Sequence, residues 1–358
     1  MDKQEQLVRA AYAGNVERVK TLLNEGVNPN SADRIDQTAL FFAAKHGFTE
    51  VVKALLVGGA EVDKPAGHKK RTALFMAAIN GHYETAKALI AAGGDINKLD
   101  DDGITPLHYV VSGDRDTGLP VLAETVKKFI VEFNPDVNVP TTVFGKTPLH
   151  MALSHGQIHA VKVLLENGAN PNAATKNGQT PLYYAASYSL LSSAKALLSA
   201  GADVNAADVY GGTPLSTAAM HGSWCRSSFS WDGGTPLSTA AMHDDVRMVK
   251  ILADAGADVN KQNIYGYTAL HMAVIRKDIA SVAVLLNAGA DKNIKNKDGL
   301  TPIDIAKRAK DRDWKNAKDR QKMMVLLDII QPAANAQPRL IARHGDMNRA
   351  NVPVHTKN

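Results

Sequence analysis

The sequence predicts an all-α solenoid of about nine stacked helix pairs, and three regularities predict it. An aligned leucine recurs at Leu7, Leu40, Leu74, Leu107, Leu149, Leu182, Leu215, Leu237 and Leu270, with Ile303 in the same place. All intervals are 33 or 34 residues except two, of 42 and 22. After the leucine comes a pair of small residues, as in Ala10-Ala11, Ala43-Ala44, Ala77-Ala78 and Ala185-Ala186. Fifteen residues after it stands a leucine pair or close variant: Leu22-Leu23, Leu55-Leu56, Leu89-Ile90, Leu164-Leu165, Leu197-Leu198 and Leu285-Leu286. A fixed period of this length marks a repeat array.

Each part of the unit has a physical reading. Thr before Pro reads as a helix N-cap with proline in the first helical position. The small pair lets a second helix approach closely. Glycines such as Gly47, Gly81 and Gly156 permit the turn between the two helices, and the leucine pair fills the layer. A terminal glycine, as in Gly26, Gly168 or Gly289, supplies a left-handed C-cap. Such a pair cannot bury its apolar face alone, so stacking on neighbours makes the core.

Thr105-Pro106-Leu107-His108 and Thr147-Pro148-Leu149-His150, with units closing near Gly-Ala-Asp-Val-Asn at 201–205 and 256–260, resemble the ankyrin repeat. The resemblance covers residues 1 to about 330. It implies β-hairpins projecting sideways between units. It also implies that the motif histidines His108, His150 and His271 tie adjacent units together. The closing asparagines (Asn30, Asn97, Asn138, Asn172, Asn205, Asn260, Asn293) match a position that is hydroxylated in many eukaryotic ankyrin proteins; the alternative is that they serve only to bond the hairpin backbone.

Departures from the period set the expected boundaries. Residues 1–330 read as the array, with 1–30 a polar N-terminal cap lacking Thr-Pro. Residues 294–330 read as the C-terminal cap, whose charged stretch Asp311–Lys322 precedes a last helix at Met323–Ile330. Unit 4 carries about eight extra residues, expected as a loop around Ser112–Pro120. Gly211–His221 and Gly233–His243 are the same eleven residues, flanking an irregular insertion at 222–232 that holds Cys225, Trp224 and Trp231. Only one copy can fill the helix slot. Residues 331–358 lack any period and read as a disordered basic tail.

Composition excludes several classes. With 45% hydrophobic and 6% aromatic residues among 358, thin layers of small helices suit the chain better than one large core. No stretch approaches a membrane span, and a signal peptide is not expected from the first residues. One cysteine excludes a disulfide framework. An intracellular, cytoplasmic protein is expected, with signal-independent export, as of a bacterial effector, as the alternative. The net charge of +5 is local: residues 304–358 hold twelve Lys/Arg against six Asp, leaving the rest near −1.

Signals for chemistry are weak. Gly145-Lys146-Thr147 resembles the end of a phosphate loop, but Pro140 stands where that motif needs glycine. His155 and His159 share a helix face without a third metal ligand. Asp100-Asp101-Asp102-Gly103 lacks calcium-loop spacing and suits a turn. No catalytic residue, cofactor or metal is expected.

The function expected is therefore a protein-interaction module: a scaffold, adaptor or inhibitor. In the family the hairpin tips and first helices line a concave groove for partners. Those positions are polar or basic in the N-terminal units (Arg34, Gln37, Lys45, His46, His68, Lys69, Arg71), and unit 4 offers Asp101 and Asp102. From unit 5 they become Val143, Phe144, His155, Tyr188, Val209, Tyr210, Ile264, Tyr265 and Tyr267. Aromatic residues dominate interface hot spots, so this half is the candidate site. The expected partner is another protein bound by a monomer, rather than nucleic acid. The alternative is an effector contacting nucleic acid or an anionic membrane through its basic end, with Lys307, Arg308, Lys310, Arg312, Lys315, Lys318, Arg320 and Lys322.

Overall fold

The first N–H groups of any helix lack carbonyl partners, and in this chain a threonine side chain supplies one. The hydroxyls of Thr38, Thr72, Thr180, Thr268 and Thr301 accept from the backbone N–H three residues on. Proline follows directly in the helices opened by Thr147, Thr180 and Thr301, where its missing N–H costs nothing.

The computed structural model describes residues 2–112, 123–220, 245–309 and 317–329. Within them eighteen helices form nine pairs. Units 1 to 3 are α1 (Lys3–Tyr12) with α2 (Val16–Asn24), α3 (Ala39–Lys45) with α4 (Thr49–Val57), and α5 (Ala73–Ile79) with α6 (Tyr83–Ala91). Units 4 to 6 are α7 (Pro106–Ser112) with α8 (Ala123–Phe133), α9 (Pro148–Ser154) with α10 (Ile158–Glu166), and α11 (Pro181–Ser187) with α12 (Leu191–Ser199). Units 7 to 9 are α13 (Pro214–Met220) with α14 (Asp245–Asp254), α15 (Ala269–Arg276) with α16 (Ile279–Asn287), and α17 (Pro302–Arg308) with α18 (Ala317–Ile329).

Packing follows the period. Every first helix contacts the first helix of the next unit, from α1 on α3 to α15 on α17. Second helices do the same, from α2 on α4 to α16 on α18, and each helix also packs on its own partner. The aligned leucines from Leu7 to Leu215, and Leu270, are at most 3% exposed. Burying each one contributes about 2 kcal/mol. Between the helices, Gly47 turns the chain at φ +74°, and Ser189 and Lys277 take the same turn in units 6 and 8 at +50° and +61°. Those two side chains cost roughly 1–2 kcal/mol that glycine avoids.

Three expectations are refined. The segments between units are hairpin-shaped loops rather than strand pairs: among the described residues the only β pairing is two isolated bridges, Ala32 with Thr38 and Ala66 with Arg71. Most of these loops close on one backbone bond across the turn, as from Asp208 N to Gly212 O (2.9 Å) or Asn263 N to Tyr267 O (3.0 Å). A turn that tight leaves no room for a ladder. The last helix starts at Ala317, not at Met323, because Lys, Arg and Gln favour helix as strongly as the apolar residues after them; Met323 and Leu327 anchor it, fully buried. In unit 7 the first of the duplicated copies fills the slot, since α13 packs on α11, α14 and α15. The insertion at 222–232, the second copy, the unit 4 loop at 113–122 and the tail at 331–358 lie outside the described residues.

Candidate functional site

The loops between units stand in a row because each tip is bonded to the next. Lys176 N donates to Phe144 O (3.0 Å), Val209 N to Asn177 O (3.0 Å), Ile264 N to Tyr210 O (2.9 Å) and Lys297 N to Tyr265 O (3.1 Å). Glycines turn the tips from unit 4 on, where units 2 and 3 use Asp36 and Lys70 at positive φ. Gly211 shows what glycine allows: its φ is +74°, and a Cβ there would lie 3.0 Å from the Asn263 backbone. Below the tips runs a second row of bonds made by the closing asparagines. Asn172 Oδ1 accepts from Asp203 N (2.7 Å) and its Nδ2 donates to Gly201 O (3.0 Å). Asn30, Asn138 and Asn260 repeat both bonds to the following unit. Asn97 and Asn205 make the first of them.

The motif histidines form a third tie. His108 Nδ1 accepts from Thr105 N (3.2 Å), so the ring proton sits on Nε2, which donates to Lys146 O (3.0 Å) in the next unit. His150 and His271 do the same toward Gln179 O and Leu300 O. Burial pushes His108 and His150 down to about 4, and lowers His271 as well.

Along the N-terminal tips the three cations of unit 3 pair with carboxylates of neighbouring tips. Lys69 pairs with Asp102 (2.8 Å), Lys70 with Asp36, and Arg71 Nε with the buried Asp100 (3.1 Å). The Arg71 guanidinium also lies over the Phe75 and Tyr109 rings, 4.7 and 5.1 Å from their centroids.

The C-terminal tips differ. Val143, Phe144, Val209, Tyr210 and Tyr265 are each more than half exposed, between 53% and 57%, and Ile264 is 42% exposed. On the first helices Tyr188 is 43% exposed, while His155 is half-buried with Nδ1 bonded to Met151 O (2.8 Å). Tyr267 is set apart: it stands at the loop's base, half-buried against the core, with its ring edge-on to His271 at 5.7 Å.

Between the tips of units 7 and 8 and the helices α11, α13 and α15 lies a depression of about 290 Å³. Tyr183, Tyr210, Met220 and Met272 form its apolar walls, and among the described residues Asp208 is the one carboxylate lining it. Sequence reasoning missed Tyr183 and Met220, which are half-buried, and Met272, a buried core residue, as lining residues. Met220 lies five residues past Leu215, in the register of Tyr188 less one, so a signal existed. Tyr183 and Met272 occupy positions one and two past the aligned leucine, where neighbours are core. Of the alternative basic end, Lys310, Arg312 and Lys315 lie outside the described residues. Among those residues no helix is long and apolar enough to cross a membrane.

Such an array of bonded units with an exposed row of tips defines a protein-interaction repeat, and comparison places it. A family model described as "Ankyrin repeats (3 copies)" matches at 7–100, 50–124, 77–173 and 120–208, and "Ankyrin repeats (many copies)" matches at 252–306. The chain belongs to the ankyrin-repeat family. A single-repeat model, "Ankyrin repeat", matches 232–264, taking the second duplicated copy where the structure uses the first; identical residues make the two equivalent in sequence.

The "ANK repeat-containing protein nipk-1" of Caenorhabditis elegans is 41% identical over 75 residues, 21% of this chain and 12% of that protein. Human "Palmitoyltransferase ZDHHC13" is 27% identical over 190 residues, 46% of this chain and 30% of that protein. The match to the palmitoyltransferases runs through their ankyrin region alone. "Mitochondrial disaggregase" of Bos taurus is 32% identical over 169 residues, 47% of this chain and 19% of that protein. The chain thus spans less than a third of the length of these relatives. The crystal structure of the ankyrin repeat domain of Bcl-3, described as a unique member of the IkappaB protein family, superposes with a TM-score of 0.52 at 27% identity. It covers 58% of this chain and 91% of its own.

Proposed function

We propose that the protein is a non-catalytic scaffold, adaptor or inhibitor that holds a partner protein against the C-terminal half of its tip row, acting as a monomer inside the cell. One observation carries this reading: Phe144, Tyr210 and Tyr265 stand more than half exposed on the tips of units 5, 7 and 8, held in one row with the polar unit 6 tip by backbone bonds between units. Exposed aromatics with a fixed backbone lose little entropy on binding and bury a large area. The N-terminal tips offer less, because Lys69, Lys70 and Arg71 of unit 3 are already paired within the chain.

The test begins with affinity capture by the full chain, followed by binding measurements on the protein retained. Replacing Phe144, Tyr210 or Tyr265 with Ala is expected to weaken that complex by about 1–3 kcal/mol each, with little change in melting temperature. Tyr267→Ala is expected to lower both, since its ring packs on the core. If removing residues 331–358 is what abolishes binding, and affinity then falls steeply with salt, the basic end is the site and the aromatic reading fails.

A further inference from the structure

A repeat array contains its own controls, because a position that is filled in one unit can be open in another. Three residues before the aligned leucine, unit 3 has Arg71 and unit 5 has Lys146. Each sends its cation over a ring two residues past the next unit's leucine: Arg71 lies 5.1 Å from the Tyr109 centroid, and Lys146 lies 5.1 Å from that of Tyr184. Arg71 also reaches a carboxylate, Asp100. In unit 7 the same position is Gly212, and the residue two past the next leucine is Met272. Both line the open depression. Among the described residues, none fills there the space that a cationic side chain fills elsewhere in the molecule.

A carboxylate waits beside it. A Cβ on Gly212 would lie 3.1 Å from Asp208 Oδ1 and 3.3 Å from Oδ2, so a side chain entering this space meets both oxygens. Asp208 Oδ1 accepts from Tyr210 N (2.9 Å) and Gly212 N (2.7 Å). That work does not require a charge: Asn263 and Asn296, in the same register, take the corresponding two bonds as neutral amides. Among the described residues Asp208 has no ion pair, and no lysine or arginine lines the depression. Within the described residues its negative charge is therefore surplus to the turn and unpaired, next to tyrosine and methionine walls suited to the stem of a long side chain.

We propose that this depression is a cation slot, which receives one arginine or lysine side chain from a segment of the partner protein. The cation pairs with Asp208 and its methylenes lie between Tyr210 and Met272, as Arg71 lies between its own carboxylate and rings. This rests on the interaction reading above and names the chemistry that would recognise its site.

The experiment selects a displayed library of random 12-residue peptides on the full chain, then measures a synthetic consensus peptide by fluorescence anisotropy. The peptides are expected to share one Arg or Lys. Replacing it with citrulline or norleucine should weaken binding at least tenfold on the native chain, and by less than twofold on the Asp208→Asn chain. Asn preserves the turn, as Asn263 does, so misfolding does not confound the comparison. An enriched set without a shared cation, or the same loss on both chains, overturns the slot. No enrichment relative to a library selected on Asp208→Asn overturns it too. Should Tyr265→Ala weaken the peptide while Asp208→Asn does not, the tip row stands as the site and the slot falls. If neither change matters, both fall. Binding that appears only after deletion of 222–243 would show the slot filled by the chain's own segment, and the partner's cation would be ruled out.

Discussion

At the scale of single residues, the motif histidines show how a side chain can be a structural tie and an acid weakness at once. His108 and His150 are held neutral, one nitrogen accepting from the unit's own threonine and the other donating across to the next unit. Their folded pKa of about 4 lies below the ordinary 6.5, so between those values the unfolded chain binds more protons. Their stabilising contribution is therefore complete above pH 6.5 and is lost as pH falls toward 4. It amounts to roughly 3 kcal/mol for each ring at most. The carboxylates that are lowered, such as Asp36 and Asp304, lose their share only below about pH 4, outside this window. We expect the melting temperature to drop between pH 7 and pH 5. Replacing both histidines with Phe, which Phe41 and Phe75 show the slot accepts, should flatten that slope. An unchanged slope would place the acid sensitivity elsewhere.

At the scale of the element, the loop between units is the part that the sequence described least well. Asn172→Ala removes an acceptor for Asp203 N and a donor to Gly201 O, and is expected to cost about 1–2 kcal/mol in a urea unfolding series. Asn172→Asp should cost less, because Asp63 already accepts from Asp95 N in the equivalent place (3.1 Å). The leucine layer and the threonine caps were legible, since each depends on spacing within one unit; the asparagines were legible in position, though their bonds run to the following unit. The loops were not legible as turns without strands, because most close on a single backbone bond across the turn while other backbone groups bond forward to the next tip. The early start of α18 was hidden for a different reason: among the residues of described burial only Met323 and Leu327 are buried there, too few to show a period. The exposed tips could be read in register from Phe144 to Tyr265. The depression could not, as its walls come from three units and its emptiness depends on what Gly212 lacks.

At the scale of the whole molecule, the 22-residue duplication tests how far the array is a sum of neighbours. Deleting 222–243 or 212–233 yields the same polypeptide, in which the spacing from Leu182 to Leu270 returns to 33 residues. Closing the longer loop costs only a few tenths to about 1 kcal/mol, so the shortened chain should melt at the same or a higher temperature. A large loss would show that Trp224 and Trp231 contribute packing. Both unusual segments, 113–122 and 221–244, fall between a first helix and its partner. Neither the tip bonds nor the asparagine bonds pass through that point: Val209, Ile264 and Asp258 are tied to the preceding unit as their counterparts are elsewhere. The chain thus twice exceeds its period at a seam that neither of these two rows of bonds crosses. The same seam offers a protein engineer two splice points, where a reporter domain or protease site can be carried on the side of the array without altering the spacing of its binding tips.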